Sequence, residues 1–166
     1  MAISIADIKA LRTETGAGIM DCRSALTEAD GSRERAMAIL RDKGVATAAK
    51  RAHRTAEEGI VAAYLHGGRI GALVEVNSET DFVARTDVFK TLAHDLAMQV
   101  AAMNPQVVAA DDIPANADGA PEEIALLAQT FIKDPGKTVQ DLINEVVAST
   151  GEKIVVRRFA RFELGG

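Results

Sequence analysis

The sequence predicts an α+β fold, in which an N-terminal three-helix module precedes a small antiparallel three-stranded sheet packed with helices. Two observations lead to this prediction. Apolar residues recur at helical spacing up to about residue 44, and they alternate at every second position in residues 59–76 and 154–164. Helices and strands that are segregated along a chain are typical of α+β proteins.

Caps and breaks delimit the first three helices. Ser4 can cap the first helix, and the two glycines in residues 16–18 favour a turn after it. A second helix is expected at about 19–29, and Ser32 can cap a third. The Lys-Gly pair at 43–44 is typical of a basic last turn followed by a glycine C-cap. We therefore predict a three-helix module at 1–44, a helical linker at 45–58 and an α+β core at 59–166.

The packing faces of the helices follow from the same spacing. The residues expected to pack are Ile5, Ile8 and Leu11 on the first helix, Met20, Ala25, Leu26 and Ala29 on the second, and Phe89, Leu92, Leu96, Val100 and Met103 on a helix that Thr86 can cap.

A β-hairpin with one buried face is predicted where the apolar spacing changes from helical to alternating at Gly59. The turn reads His-Gly-Gly-Arg at 66–69. Residues 105–121 are expected to form a loop, Thr138 can cap a last helix, and residues 154–164 form a third strand. The alternating apolar residues of the hairpin are Val61, Ala63 and Leu65 in its first strand and Ile70, Ala72, Val74 and Val76 in its second.

Composition and charge exclude several classes of function. No apolar run approaches the roughly 20 residues that a membrane span needs, and the single cysteine, Cys22, fits a reducing compartment. The formal net charge is −5, with a balance of +1 in residues 1–58 and −6 in the remainder. Such a chain lacks the positive field that holds a nucleic acid. We expect a cytoplasmic protein that binds neither nucleic acid nor membrane.

The residues that usually carry catalysis do not form a recognisable set. The three histidines are scattered, one cysteine cannot form a zinc motif, and there is no glycine-rich phosphate loop. Cys22 lies near the start of the second predicted helix, where a lowered pKa would make it a nucleophile, although a semi-buried structural cysteine is the favoured interpretation. We therefore expect no enzyme, no cofactor and no metal site, and favour a binding or regulatory role.

An aromatic residue is predicted on the connection that follows the hairpin. Residues 78–85 read Ser-Glu-Thr-Asp-Phe-Val-Ala-Arg and join the second strand to a helix. Surface connections of this kind often carry function, and Phe82 beside Asp81 would present a ring and a carboxylate to a partner. Alternatively, Phe82 folds back as a hydrophobic staple at the start of the next helix. The residues alone leave both alternatives open.

Three segments resemble signatures of the elongation factor Ts family. Residues 11–26 read Leu-Arg-Thr-Glu-Thr-Gly-Ala-Gly-Ile-Met-Asp-Cys-Arg-Ser-Ala-Leu, like the family's N-terminal signature. Residues 75–85, Glu-Val-Asn-Ser-Glu-Thr-Asp-Phe-Val-Ala-Arg, resemble its strand-to-helix motif, and residues 151–159, Gly-Glu-Lys-Ile-Val-Val-Arg-Arg-Phe, its closing strand. The segments follow the family order and span nearly the whole chain.

The resemblance implies a guanine-nucleotide exchange factor of protein biosynthesis, which is not an enzyme. Such a factor binds GDP-bound elongation factor Tu, loosens magnesium and the nucleotide phosphates, and allows GTP to replace GDP. In the family, the Asp-Phe motif inserts beside the magnesium site of the GTPase, and the N-terminal module grips the GTPase domain. Arg23 stands where the family usually has Lys, which has a different hydrogen-bond geometry. The matching positions are Arg12, Met20, Arg23, Ile70, Gly71, Thr80, Asp81, Phe82 and Val83.

A departure from the longer family members predicts a homodimer. Those members have two core subdomains and a projecting coiled coil, whereas this chain has one hairpin–helix unit and only residues 115–129 where the projection would be. We expect a second protomer to replace the missing subdomain through the core sheet. Some short relatives have a cysteine in the closing strand, where this chain has Ala160, so the dimer should be non-covalent. Ile70 and Gly71 are expected contacts that either protomer can supply.

An alternative from another class is a non-catalytic helical protein-binding module on an α+β dimer scaffold. The three N-terminal helices resemble ubiquitin-associated modules in size and in the placement of their turns. This alternative predicts a short-peptide or ubiquitin-like partner and no dependence on Phe82.

Overall fold

The computed structural model describes residues 3–166 and has the predicted α+β secondary structure. The helices are α1 (Ile5–Thr15), α2 (Ile19–Glu28), α3 (Arg33–Arg51), α4 (Asp81–Ala84), α5 (Asp87–Met103), α6 (Pro121–Ile124) and α7 (Val139–Thr150), and short 3-10 turns span Ala110–Asp112 and Leu126–Ala128. The strands are β1 (Glu58–His66), β2 (Ile70–Ser78), β3 (Thr130–Phe131), β4 (Asp134–Thr138) and β5 (Ile154–Glu163).

The chain divides into two compact units. The helical unit comprises Met1–His53 and Asn144–Glu152, and the sheet unit comprises Arg54–Ile143 and Lys153–Gly166.

The helical unit is organised by the N-caps that the sequence predicts. Ser4 Oγ accepts the N–H of Asp7 at 3.1 Å, and the Asp7 carboxylate accepts the N–H of Ser4 at 3.1 Å, which forms a capping box on α1. The core consists of Leu11, Ala17, Cys22, Ala25, Leu26, Ala29, Ala36 and Leu40. Ile5 and Met20 are exposed, so the prediction that they pack in this core is wrong. Both lie in the first turn of their helix, at the end of the apolar stripe.

Helix α3 continues through Gly44 to Arg51, so the predicted helix end at Lys43-Gly44 is also wrong. A Cβ atom at Gly44 would lie 3.2 Å from the carbonyl oxygen of Asn144 and 3.7 Å from Cβ of Ala148. The missing side chain therefore permits close packing of α3 against the part of α7 that belongs to the helical unit. Gly44 therefore has a packing role and is not the C-cap that the sequence pattern suggested.

The sheet unit contains a three-stranded antiparallel sheet with the strand order β1-β2-β5. Strands β1 and β2 form the predicted hairpin, and the N–H of Arg69 donates to the carbonyl oxygen of His66 at 3.0 Å. The central residues Gly67 and Gly68 have φ angles of 55° and 68°. Positive φ at both positions is typical of the tight hairpin turn that favours glycine.

Helix α5 packs against β1 and β2 on one face of the sheet. The ring of His94 on α5 makes an edge contact with Tyr64 on β1, with the ring centroids 5.7 Å apart. The predicted stripe of α5 is buried at Phe89, Leu92, Leu96 and Val100. Met103 is exposed in the last turn of the helix, so its prediction as a packing residue is wrong.

The register of the hairpin corrects the predicted inner face of β1. Val74 pairs with Ala62 and Val76 pairs with Ile60. Because directly paired residues share a face of the sheet, Val61, Ala63 and Leu65 lie on the face opposite α5. The predicted assignment of these three residues to the same buried face as Val74 is wrong. Both alternating sets of β1 are apolar, so alternation alone could not choose between them.

A bulge moves the alternating residues of β5 from one face to the other. Glu75 pairs with Arg158, whereas the next residue of β2, Val76, pairs with Val156. Arg157 is therefore an extra residue without a strand-pairing partner in β2. Even-numbered residues of β5 face α5 before this bulge and face away from it after the bulge. The predicted third strand is confirmed, but its alternating apolar residues face α5 only up to Val156.

The two-stranded ribbon β3-β4 was not predicted. The fully buried Gln99 on α5 donates from Nε2 to Gln129 Oε1 and to the carbonyl oxygen of Thr130, both at 3.1 Å. Its Oε1 accepts the N–H of Ile132 at 3.0 Å. Buried polar groups need such partners, so this glutamine attaches the ribbon to α5.

The backbone of Gly59 leaves no room for a side chain against β2, and its replacement by alanine is expected to destabilise the fold. Its φ angle is 152°, and a Cβ atom there would lie only 2.1 Å from the carbonyl oxygen of Val76. We expect Gly59→Ala to lower the free energy of unfolding by about 2–4 kcal/mol, measured by urea denaturation. Gly71→Ala is the matched control, because its Cβ would meet only Leu65 Cδ1 at 3.5 Å. Equal stabilities of the two variants would contradict this account.

Candidate functional site

The connection after β2 is held in place by two hydroxyl groups. The fully buried Ser78 donates from Oγ to the carbonyl oxygen of Thr80 at 2.9 Å. Thr80 is the N-cap of α4, and its Oγ1 accepts the N–H of Val83 at 3.4 Å. An N-cap threonine pairs a backbone N–H that would otherwise lack a partner. The predicted turn is therefore a single helical turn, Asp81–Ala84.

Phe82 projects from this helical turn. Its side chain is 77% exposed, whereas Ala84 on the same turn is buried and anchors α4. Thr86 Oγ1 donates to the carbonyl oxygen of Val83 at 2.7 Å, which ties the end of α4 to the start of α5. The alternative in which Phe82 forms a hydrophobic staple is wrong, and the exposed aromatic residue is confirmed.

Asp81 forms an exposed ion pair beside Phe82. One of its carboxylate oxygens lies 2.8 Å from Arg85 Nη2, and the two side chains are 43% and 75% exposed. Ion pairs of this exposure contribute little to stability because water competes for both charges. The Asp81 carboxylate can therefore exchange Arg85 for another cation at low cost.

Ile70 and Gly71 lie at the other end of β2, next to the hairpin turn. Ile70 lines an apolar groove of about 350 Å³ together with Tyr64, His66, Met98, Ala101, Ala102 and Ile132. Ser78 lies eight positions after Ile70 in this extended strand, which corresponds to a separation of roughly 26 Å. The sheet unit thus brings Thr80, Asp81, Phe82 and Val83 together, and it holds Ile70 and Gly71 apart from them.

The helical unit exposes Arg12, Met20 and Arg23, the three predicted site residues of the N-terminal signature. Met20 is 69% exposed at the start of α2, directly after the glycine-rich break. Ile19 beside it is also exposed, and the sequence reasoning missed it. Its position immediately after Gly18, where no preceding helical turn covers it, was the available signal.

A further apolar surface lies on the sheet face opposite α5. We call it the open face, and it comprises Val61, Ala63, Leu65, Gly71, Leu73, Ala160 and Phe162. Leu65, Leu73 and Phe162 are 70%, 48% and 72% exposed. The apolar run at residues 72–74 was the available sequence signal, since strands covered on both faces lose their polar alternation.

Large and small residues alternate across the open face. Leu65, Gly71 and Phe162 form one row of paired positions, and Ala63, Leu73 and Ala160 form the next. Each large side chain thus has small neighbours within its row. The ion pair between Arg158 Nε and Glu75 Oε2, at 2.7 Å, borders these rows.

Cys22 lacks the properties of a catalytic nucleophile. Its side chain is fully buried in the core of the helical unit, and Sγ donates to the carbonyl oxygen of Ala17 at 3.7 Å. Burial raises the pKa of the Cys22 thiol above its ordinary value, and hydrogen bonding to Thr15 offsets this only in part. Since the thiolate is the reactive form, the structural interpretation of Cys22 is favoured.

Labelling of the Cys22 thiol is therefore expected to be slow in the folded protein. At pH 7 we expect a disulfide reagent to react at least about a hundredfold more slowly than with the chain in denaturant, because labelling requires local opening. Because the pKa of Cys22 is raised, its labelling rate should continue to increase with pH in the range where a free thiol is already fully ionised. A native rate equal to the denatured rate would contradict the burial of Cys22.

Among residues 3–166, no helix combines the length and the apolar character that crossing a membrane requires.

Comparison with known proteins identifies the family. A family model described as elongation factor TS matches residues 26–124. An elongation factor Ts of Moorella thermoacetica is 53% identical over 194 aligned positions, which cover 98% of this chain and 96% of the relative. Those of Caldanaerobacter subterraneus subsp. tengcongensis and Alkaliphilus metalliredigens are 48% and 47% identical, covering 98% and 99% of this chain and 97% and 91% of the relatives. With the signature of its N-terminal helices and the connection that carries the exposed Phe82, the chain belongs to the elongation factor Ts family of translation elongation factors.

Proposed function

We propose that the chain is a guanine-nucleotide exchange factor that binds GDP-bound elongation factor Tu and promotes the release of GDP, so that GTP can replace it. The observation that supports this function best is the exposed Phe82 on a short helix whose ends are tied to β2 and α5. A phenylalanine at 77% exposure has most of its apolar surface available to a partner. Burial of such a side chain stabilises a complex by about 1.5–3 kcal/mol.

The physical task of the factor is to favour the GTPase state in which the nucleotide is loosely held. GDP leaves slowly because a metal ion and several charge-assisted hydrogen bonds hold its phosphates. A bound protein shifts this equilibrium only by its differential affinity for the two states. Insertion of Phe82 beside the magnesium site would supply that difference if the pocket for the ring exists only in the loosened state.

Asp81 has two possible roles in this proposal. Its carboxylate can orient the α4 turn through Arg85, which lies 2.8 Å away. It can also leave Arg85 and compete for a cation of the GTPase, since an exposed pair is easily exchanged. Replacement of Arg85 by methionine distinguishes these roles, because only the positioning role requires the guanidinium.

No covalent step is required of the chain, which we propose is not an enzyme and acts in the cytoplasm. Exchange needs only binding and release, and the burial of Cys22 agrees with this. The N-terminal module is proposed to grip the GTPase domain through Arg12, Met20 and Arg23, all of which are exposed. We also propose that this module resembles ubiquitin-associated modules.

We further propose that two chains form a non-covalent homodimer through the open face. Monomeric proteins rarely leave an apolar patch of this kind uncovered, and two sheets pack well when their inner side chains interdigitate. In an isologous dimer, the large residues of one open face, such as Leu73, meet the small residues of the other. The closing strand has Ala160, which cannot form a disulfide. Ile70 and Gly71 of either protomer can then contact the GTPase.

The proposal is tested by following the release of fluorescent GDP from a cognate elongation factor Tu. We expect the wild-type chain to accelerate release over the spontaneous rate, with an effect that saturates as its concentration rises. The isolated GTPase with an excess of unlabelled nucleotide provides the control. Binding without acceleration would support the alternative of a helical protein-binding module on a dimer scaffold. The absence of both binding and acceleration would refute the exchange function.

A further inference from the structure

Glu79, the residue before the Thr80 cap, is held by two neighbours that also hold each other. Its Oε1 accepts the backbone N–H of Lys153 at 2.6 Å, and its Oε2 accepts a hydrogen bond from Arg54 Nη1 at 3.0 Å. Lys153 Nζ donates to the carbonyl oxygen of Arg54 at 2.8 Å, which closes the triangle. All three residues belong to the sheet unit. We call this arrangement the Glu79 clamp.

The Glu79 clamp joins three segments of chain at one end of the sheet. Arg54 precedes β1, Glu79 follows β2, and Lys153 directly precedes β5. Helix α4 begins two residues after Glu79, so the clamp fixes the base from which Phe82 projects. The far side of α4 is fixed separately by the buried Ala84 and by the hydrogen bond from Thr86.

The Glu79 clamp is stronger than the ion pair on α4 itself. The Glu79 side chain is 16% exposed, against 43% for Asp81. Both hydrogen bonds to Glu79 are charge-assisted, and one of them comes from a backbone N–H, which costs no side-chain entropy to hold. Screening by water weakens such bonds less at low exposure than at the surface.

We propose that Glu79 is a positioning residue for Phe82 in nucleotide exchange. This inference rests on the exchange function proposed above. If the turn that carries Phe82 were mobile, it would have to become ordered when the ring enters its pocket. The entropy lost in ordering the turn would then reduce the free energy of binding. The Glu79 clamp restricts the mobility of this turn before the chain binds the GTPase. Glu79 therefore acts through Thr80 and Phe82, without touching the nucleotide.

Three variants separate the parts of the Glu79 clamp. Glu79→Ala removes both hydrogen bonds, Glu79→Gln keeps an acceptor for the N–H of Lys153 but loses the charge, and Arg54→Met removes the guanidinium alone. Asp95→Asn is the matched control, since the Asp95 carboxylate is 10% exposed and pairs with Lys133 Nζ at 2.6 Å in the same unit. All variants are compared at equal concentrations of folded protein, determined by circular dichroism.

The first readout is the release of fluorescent GDP at saturating concentrations of each variant. We expect the saturated rate to fall about tenfold in Glu79→Ala and less in the other two, with little change in the concentration needed for half saturation. Glu79→Gln combined with Arg54→Met should be no slower than the slower single variant, because both act on one contact. Asp95→Asn should keep the wild-type rate.

The second readout is amide hydrogen exchange of the chain alone, which does not depend on the GTPase. The N–H of Arg85, which donates to the carbonyl oxygen of Asp81 at 3.1 Å, should lose protection in Glu79→Ala, as should that of Val83. Amides at the centre of β2 should keep theirs. A purely structural role would instead lower protection throughout the sheet unit.

The two readouts give outcomes that either support or overturn the proposal. A lower saturated rate together with a loss of protection confined to α4 supports it. A wild-type saturated rate in Glu79→Ala, or a loss of protection spread over all strands, overturns it. If the wild-type chain itself does not accelerate release, the exchange function fails first. That case is recognised because wild type, Phe82→Ala and Glu79→Ala then all match the spontaneous rate.

Discussion

Replacement of Phe82 by alanine is expected to slow the release of GDP from elongation factor Tu roughly ten- to hundredfold relative to the wild-type chain. The loss corresponds to the burial of one phenylalanine side chain, converted at about 1.4 kcal/mol for each factor of ten. Because the ring is proposed to be buried only when the nucleotide is displaced, the saturated rate should fall more than the affinity for the GDP-bound GTPase. Stopped-flow fluorescence of labelled GDP measures both quantities.

Two controls make the Phe82 result specific. Phe82 is 77% exposed in the free chain, so Phe82→Ala should change the free energy of unfolding by no more than about 0.5 kcal/mol. Met103→Ala removes another exposed apolar side chain of the sheet unit and should leave release unchanged. If Phe82→Ala released GDP as fast as the wild type, exchange would depend on Asp81 or on the N-terminal helices. A large loss of stability in Phe82→Ala would contradict the exposure of the ring.

Replacement of Leu73 by aspartate is expected to convert the proposed dimer into monomers. Leu73 lies at the centre of the open face, between Ala63 and Ala160. In an isologous interface the substitution occurs twice, and each carboxylate would be buried without a partner. We expect the dissociation constant to rise roughly a thousandfold or more. Light scattering at micromolar concentration should give twice the 17.6 kDa of one chain for the wild type and 17.6 kDa for Leu73→Asp.

Met103→Asp is the matched control for the open face, because Met103 is an exposed apolar residue in the last turn of α5 and lies outside that face. It should leave the mass unchanged. A monomeric wild type would refute the dimer, and a dimer that withstands Leu73→Asp would show that the interface lies on another surface. The monomeric variant also tests whether Ile70 and Gly71 act from the second protomer, since release would then slow in Leu73→Asp although Phe82 is unchanged.

The sequence predicted the helix starts well because a cap is a local interaction. Ser4, Ser32, Thr86 and Thr138 each accept a hydrogen bond from a backbone N–H within three residues. Such contacts depend on residue type and spacing, both of which are visible in the chain. The turn at Gly67-Gly68 is predictable for the same reason, since only its own residues determine the φ angles.

The faces of the strands were not predictable because they depend on partners distant in the chain. Both alternating sets of β1 are apolar, and the pairing with β2 decided which set faces α5. The bulge at Arg157 moved the even-numbered residues of β5 to the other face of the sheet, and no residue near it indicates a bulge in the sequence. Gln99 illustrates the same limit, because its three partners lie about thirty residues further along the chain.

The sequence by itself determined the α+β class, the caps, the hairpin turn and the position of the aromatic motif on the connection after β2, because these follow from interactions within a few residues. The tertiary structure alone decided that Phe82 projects while Ala84 is buried, that Leu65, Leu73 and Phe162 share one open face, and that Glu79 meets Arg54 and Lys153. These features arise where segments far apart in the chain come together. Their geometry depends on strand register and packing, which local patterns do not encode.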